Sequence, residues 1–200
     1  CYAEELGYRI KHLGITRRTE KGIELRVHPT LIPEKRLIAN VNGVMNAVLV
    51  MGDAVGPTLY YGAGAGAEPT ASAVVADIID VVRTLTTDPE NRVPHLAFQP
   101  DSLSDFPVLP IEDIVTSYYL RILAADKAGV MGEITSILGN SGISIEAVIQ
   151  KDPRDEKQAD IILLTHKVRE KQMNAAIEKI KAMDATFGNI TRIRMESLGR

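Results

Sequence analysis

Two hundred residues, 45% apolar and 24% charged with a net charge of −3, make an ordinary globular composition that can bury a core in one large or two small domains. There is no cationic surplus to neutralise a nucleic-acid backbone and no apolar run near the roughly 18 residues of a membrane span, so neither partner is expected, and with no signal-like start a cytoplasmic protein is. The single cysteine, Cys1, excludes an internal disulfide, and His12, His28, His95 and His166 lack metal-ligand spacing, so no metal site is expected and each histidine reads as a surface or strand-edge residue.

The chain opens without methionine, in a stripe of Ala3, Leu6, Ile10 and Leu13 closed by Gly14. That spacing predicts a helix, and an element that begins at once suggests a piece of something longer. Ile23, Leu25 and Val27 then alternate with Glu24 and Arg26, the period of a half-buried strand ended by His28-Pro29. Residues 42–51 are β-rich, Gly52-Asp53 offers a turn, and residues 58–61 make a short strand.

That strand runs into Gly62-Ala63-Gly64-Ala65-Gly66-Ala67, ahead of a helix with Pro69 in its first turn and Ala71, Val74, Val75, Ile78, Ile79 and Val82 on one face. Glycines at alternate positions let backbone amides approach a phosphate or a flat cofactor. Gly62-x-Gly64-x-x-Ala67 satisfies the dinucleotide pattern, but no second strand with an acidic end follows, so an ordinary Rossmann unit is disfavoured. A glycine-rich turn serving only close helix packing is the plainer alternative.

Residues 84–115 hold five of the ten prolines and predict a surface connector. From Ser117 the pattern becomes strand (119–125), helix (Val130, Ile134, Ile137, Leu138), strand (Ile143, Ile145, Ala147, Ile149), polar turn (151–157), apolar central strand (159–167), helix (Met173, Ala176, Ile177, Ile180, Met183) and strand (189–195). The order βαββαβ predicts a ferredoxin-like layer, two helices on one face of a four-stranded antiparallel sheet with an open edge for self-association.

Within that unit, Asp126-Lys127-Ala128-Gly129-Val130-Met131-Gly132-Glu133-Ile134 and Asn140-Ser141-Gly142-Ile143-Ser144-Ile145 resemble an ACT domain, with Ala128 where the family more often has proline. The resemblance implies an amino-acid effector site at Asp126, Gly129, Val130, Met131, Ile143 and Ser144, or a module that only dimerises. Residues 1–87 resemble the C-terminal part of the catalytic region of homoserine dehydrogenase. The stretches that carry this are residues 6–15, Val27-His28-Pro29-Thr30, Asn42-Gly43-Val44-Met45-Asn46-Ala47 and residues 52–66.

Together these imply an α+β chain: a partial substrate and dimerisation sheet with helices over residues 1–87, a Pro-rich linker over 88–116, and an ACT domain over 117–200. The family interconverts L-homoserine and L-aspartate 4-semialdehyde with NAD(P). The resemblance places Gly64, Ala65 and Gly66 near the nicotinamide end, with most of the cofactor site, the catalytic lysine and the substrate-holding acids outside these residues. No catalytic residue is therefore assigned; Lys11, Glu24 and Asp53 read as solvated charges, and the 200 residues alone are expected to show no turnover. L-Threonine is the effector the family implies. A non-catalytic amino-acid-binding or dimerisation protein, and another ACT-bearing enzyme of amino-acid metabolism, remain the alternatives.

Overall fold

The computed structural model describes residues 2–88, 98–150 and 158–198. Cys1, His95 and the turn expected over residues 151–157 lie outside them. The described residues fall into two compact units, and the first is discontinuous: residues 1–39 join residues 106–200, while residues 40–105 form the second.

In the first unit, β5 (Val115–Ala125), α3 (Val130–Asn140), β6 (Ile145–Gln150), β7 (Gln158–Thr165), α4 (Glu170–Lys181) and β9 (Thr186–Met195) follow the expected βαββαβ order; a two-residue strand, β8 (Val168–Arg169), pairs with the start of β5. The sheet order β9–β5–β7–β6 is antiparallel throughout. Strand alternation sorts β5 and β7 between two cores. Tyr118, Leu120, Ile122, Ile161 and Leu163 pack with Ile134, Leu138, Met173, Ala176 and Ile180 of the two helices. Tyr119, Ile162 and Leu164 face the other way and meet Ala3, Leu31 and Met195. Burial on both faces is why β7 reads as an almost unbroken apolar run.

The helix expected across Ala3 to Leu13 is corrected. Only α1 (Tyr2–Glu5) is helical; Gly7, at φ +76°, ends it with its amide on the Glu4 carbonyl (2.9 Å). Residues Tyr8–Thr19 form β1, paired one to one with β2 (Gly22–Pro33). Leu6, Ile10 and Leu13 fit a helical period, but a twelve-residue ladder supplies cross-strand partners that local spacing cannot foresee, and Ile10 is left 48% exposed.

The strand also runs through His28-Pro29 rather than ending there, with Pro29 opposite His12. The parallel ladder from β2 to β9 begins only at Thr30↔Arg194 and Leu31↔Met195, so on that side Pro29 leaves no bond unmade. Nearer its start, β2 is flanked by the chain returning at Pro107–Leu109: the Ile23 amide donates to the Pro107 carbonyl (2.8 Å) and the Leu109 amide to that of Ile23 (2.9 Å). The β9 edge of the ferredoxin-like sheet is thus closed by β2, giving β1–β2–β9–β5–β7–β6, with β6 as the outer strand on the other side.

Gly22 sits at φ +149°, and a Cβ there would run into the Pro107 carbonyl oxygen. Gly22→Ala should therefore destabilise the protein by about 1–3 kcal/mol in thermal denaturation. Gly14→Ala, whose Cβ would meet only Val27 Cγ2 at 3.9 Å, serves as the mild control.

The larger correction concerns which face of β2 is inside. Glu24, Arg26, His28 and Thr30 are buried, whereas Leu25 is 50% and Val27 70% exposed. The solvated reading of Glu24 and the surface reading of His28 are both overturned, while His12 and His166 are exposed as expected.

In the second unit, β3 (Met45–Gly52) and β4 (Gly56–Ala63) form an antiparallel hairpin, its turn begun by Asp53, whose carboxylate accepts the Ala54 amide (2.7 Å). Helix α2 (Ala67–Leu85) carries Pro69 in its first turn, as expected. Its apolar face is uncovered, Val74, Val75, Ile78, Ile79 and Val82 lying 44–56% exposed. No helix among the described residues is long and apolar enough to cross a membrane.

Candidate functional site

The glycine run bridges β4 and α2, both in the second unit. The Gly64 amide donates to the Val44 carbonyl (3.0 Å), and a Cβ on Gly64 would collide with the Asn46 side chain, whereas at Gly62 it would meet nothing. Gly66 is the N-cap of α2 at φ +127°, with no side-chain capping bond; its carbonyl accepts the Thr70 amide (3.1 Å). The first-turn amides of Ala67 and Glu68 precede any intrahelical acceptor, and Pro69 has no amide to satisfy.

Gly64, Ala65 and Gly66 thus present an exposed main-chain surface at a positive helix end. From residue 37 to residue 82 the chain has no lysine or arginine, and Glu68 lies in the first turn. The loop thus offers main-chain amides without a cationic side chain beside them. It provides no acid or base.

The second predicted cluster lies between β5, α3 and β6. Asp126 is exposed and accepts Gln150 Nε2 (3.3 Å); Gly129 caps α3 at φ +93°. The Val130 amide, expected to be free, donates to the Lys127 carbonyl (3.3 Å). Val130 and Ile143 point into the helix-side core, and the Ser144 carbonyl accepts the His166 amide (2.9 Å). Among the six predicted residues, Asp126, Gly129 and Ser144 are the exposed ones, Met131 is half-buried, and two are core residues.

A third group escaped sequence reasoning. Arg26, its side chain fully buried, donates to Glu196 Oε1 (2.5 Å) and lies 3.6 Å from Glu24 Oε2. Arg17 closes the set from the surface, 3.3 Å from Glu196 and 3.5 Å from Glu24. His28 Nε2 takes an Arg26 N–H at 3.4 Å and its Nδ1–H reaches the Pro29 carbonyl at 3.2 Å, an arrangement that fits a neutral imidazole. Burial, with the Arg194 and Arg26 cations, lowers the affinity of His28 for a proton, against the Pro29 bond and the Glu196 carboxylate. The available signal was the polar alternation Glu24, Arg26, His28, Thr30, with Arg17 opposite Glu24 across the hairpin. Its other half, Glu196, lies 170 residues from Arg26.

Glu170, at the start of α4 and 2% exposed, is held by Arg194 (2.6 and 2.9 Å), Arg192 (3.2 Å) and the Tyr118 hydroxyl (2.5 Å). Burial pushes its carboxyl upward, but these donors outweigh it and leave it below the usual range. The Tyr118 phenol is raised, first by burial and then by Glu170. Among the described residues no group of three or more histidine, cysteine or acidic side chains could hold a metal.

The βαββαβ order of the first unit is that of an ACT-type module, and the glycine loop belongs to the second unit. Residues 118–185 match the ACT domain family, and residues 1–79 match the family described as homoserine dehydrogenase. The chain is related to homoserine dehydrogenases over nearly its whole length. It is 62% identical over 198 residues to homoserine dehydrogenase of Pseudomonas aeruginosa and 40% over 196 residues to that of Helicobacter pylori, in each case covering 98% of this chain and 46% or 45% of the relative. The crystal structure of a homoserine dehydrogenase from Thiobacillus denitrificans superposes at a TM-score of 0.91 with 68% identity, over 99% of this chain and 44% of that one. The chain thus spans a little under half the length of the relatives it matches.

Proposed function

We propose that these residues are the cofactor-closing and regulatory part of a homoserine dehydrogenase, which interconverts L-homoserine and L-aspartate 4-semialdehyde with NAD(P) in cytoplasmic amino-acid biosynthesis leading to threonine and methionine. The observation that carries this is the similarity to homoserine dehydrogenases, unbroken from the front strands through the ACT domain. A nicotinamide cofactor supplies the hydride when bound. In this reading Gly64, Ala65 and Gly66 line its ring end, and the missing side chains there let the main chain come close and exclude water.

The ACT domain is proposed to sense an amino acid, L-threonine in this reading, through Asp126, Gly129, Val130, Met131, Ile143 and Ser144. Sensing requires unequal affinity for two states of the enzyme. The free edge of β6 offers a surface for self-association, and the bare face of α2 one for the remainder of the protein to cover.

The test is homoserine-dependent reduction of NAD(P) by the full-length protein. Activity is expected, and Gly66→Ala should lower kcat/KM for the cofactor by about tenfold to a hundredfold, because alanine is strained at that φ and adds a methyl against Pro69 (3.3 Å). A folded protein with no such activity would sink the proposal.

A further inference from the structure

Where the hairpin β1–β2 meets the ACT sheet there is a cavity of about 140 Å³, far above the roughly 15 Å³ that a single water needs. It lies wholly in the first unit, and its walls include Tyr8 and Arg17 of β1, Thr116 of β5, Glu146 of β6, Lys167 before β8 and Glu196 after β9. The charges on these walls differ in what they already do. Arg17 is engaged with Glu24 and Glu196, and Glu196 also with the buried Arg26. Thr116 donates to the Met195 carbonyl at 2.9 Å.

Lys167 and Glu146 make no ion pair among the described residues. Glu146 is sensed by the Tyr8 phenol, which burial first and this carboxylate second push upward. One uncommitted cation and one uncommitted anion therefore face a common space. An anion bound there would meet the Glu146 carboxylate, and a cation the Lys167 ammonium. A molecule carrying both charges answers both walls.

We propose that this cavity binds a small zwitterion of amino-acid type, its carboxylate toward Lys167 and its ammonium toward Glu146, with Tyr8 and Thr116 offering hydroxyls to its side chain. The site is separate from the loop of Asp126 and Gly129, none of whose residues line it. Its occupant would touch β1 of the hairpin and β5 of the ACT sheet at once. The two elements are also joined through β2 and β9 by two register pairs, the Glu196 amide on the Leu31 carbonyl (3.0 Å) and the Arg26–Glu196 pair. Binding would cross-link that seam.

The test is calorimetric titration of the full-length protein with L-serine and L-threonine, and with lactate and ethanolamine as single-charge analogues. At least one amino acid should bind saturably, and both analogues at least about tenfold more weakly. Lys167→Ala and Glu146→Gln, both at exposed positions, should each weaken binding about tenfold at unchanged melting temperature, and Lys179→Ala, an exposed α4 position that does not line the cavity, should leave it within about twofold. No saturable binding of either amino acid would overturn the proposal, as would binding unaltered in both Lys167→Ala and Glu146→Gln. The readout is binding rather than turnover, so a failure of the dehydrogenase assignment would register separately.

Discussion

Arg26→Ala should lower the unfolding free energy by about 3–5 kcal/mol, measured by urea denaturation. The guanidinium is wholly buried and lies between two carboxylates that are themselves nearly buried, Glu24 and Glu196. Removing it leaves both with only Arg17, whose side chain is 44% exposed and cannot neutralise them in a dry setting. Arg26→Lys should recover only part of the loss, since an ammonium cannot fork between Glu196 and the His28 ring.

The same substitution has an electrostatic signature. His28 is held below its ordinary value of 6.5 chiefly by burial, with Arg194 and Arg26 adding to it. Such a depressed group contributes stability that is complete above the unfolded value and is lost as pH falls through 6.5 toward the lower folded value. In Arg26→Ala the His28 proton, followed by NMR, should titrate at higher pH than in the wild type. An unchanged titration would show that Arg26 adds nothing to the shift.

Glu170→Ala should cost about 3 kcal/mol or more, because it strands Arg194 and Arg192 beside the helix-side core and leaves the buried Tyr118 hydroxyl without its acceptor. Tyr118→Phe should be far milder, about 1 kcal/mol, since Glu170 keeps both arginines. The carboxyl lies below its ordinary 4.5, so its contribution is present above that value and disappears as pH falls through the folded one. Acid unfolding of Glu170→Ala should therefore be shallower than that of the wild type. A wild-type slope in the variant would contradict the assignment.

Much of the second half was legible because its signals are local and redundant. The turn at Gly129, the alternation of Ile145, Ala147 and Ile149 and the stripe from Met173 to Ile180 each specify one element, and short connections leave few ways to assemble them. The front half misled because its partners are remote. Nothing near Leu13 reveals that its register is fixed by His28, and nothing near Arg26 reveals Glu196. Leu25 and Val27 looked like the inner face because apolar residues are the default interior. Here the ion cluster takes that side. The glycine loop was legible as a loop, since Gly66 at φ +127° admits little else, while the cavity beside Lys167 and Glu146 draws on seven separate stretches of chain and has no pattern in any of them.

The seven-stranded sheet is built from the two ends of the sequence, with residues 40–105 entering as an insertion between them. A cut inside that insertion would leave every strand of the sheet on one side or the other, still joined along β2 and β9 and through the Arg26–Glu196 pair. The two pieces should then behave as complementing fragments. Order of assembly follows as well: the hairpin can form early and alone, but it can dock only after β9 exists, so the slowest contacts belong to the strand that closes the edge.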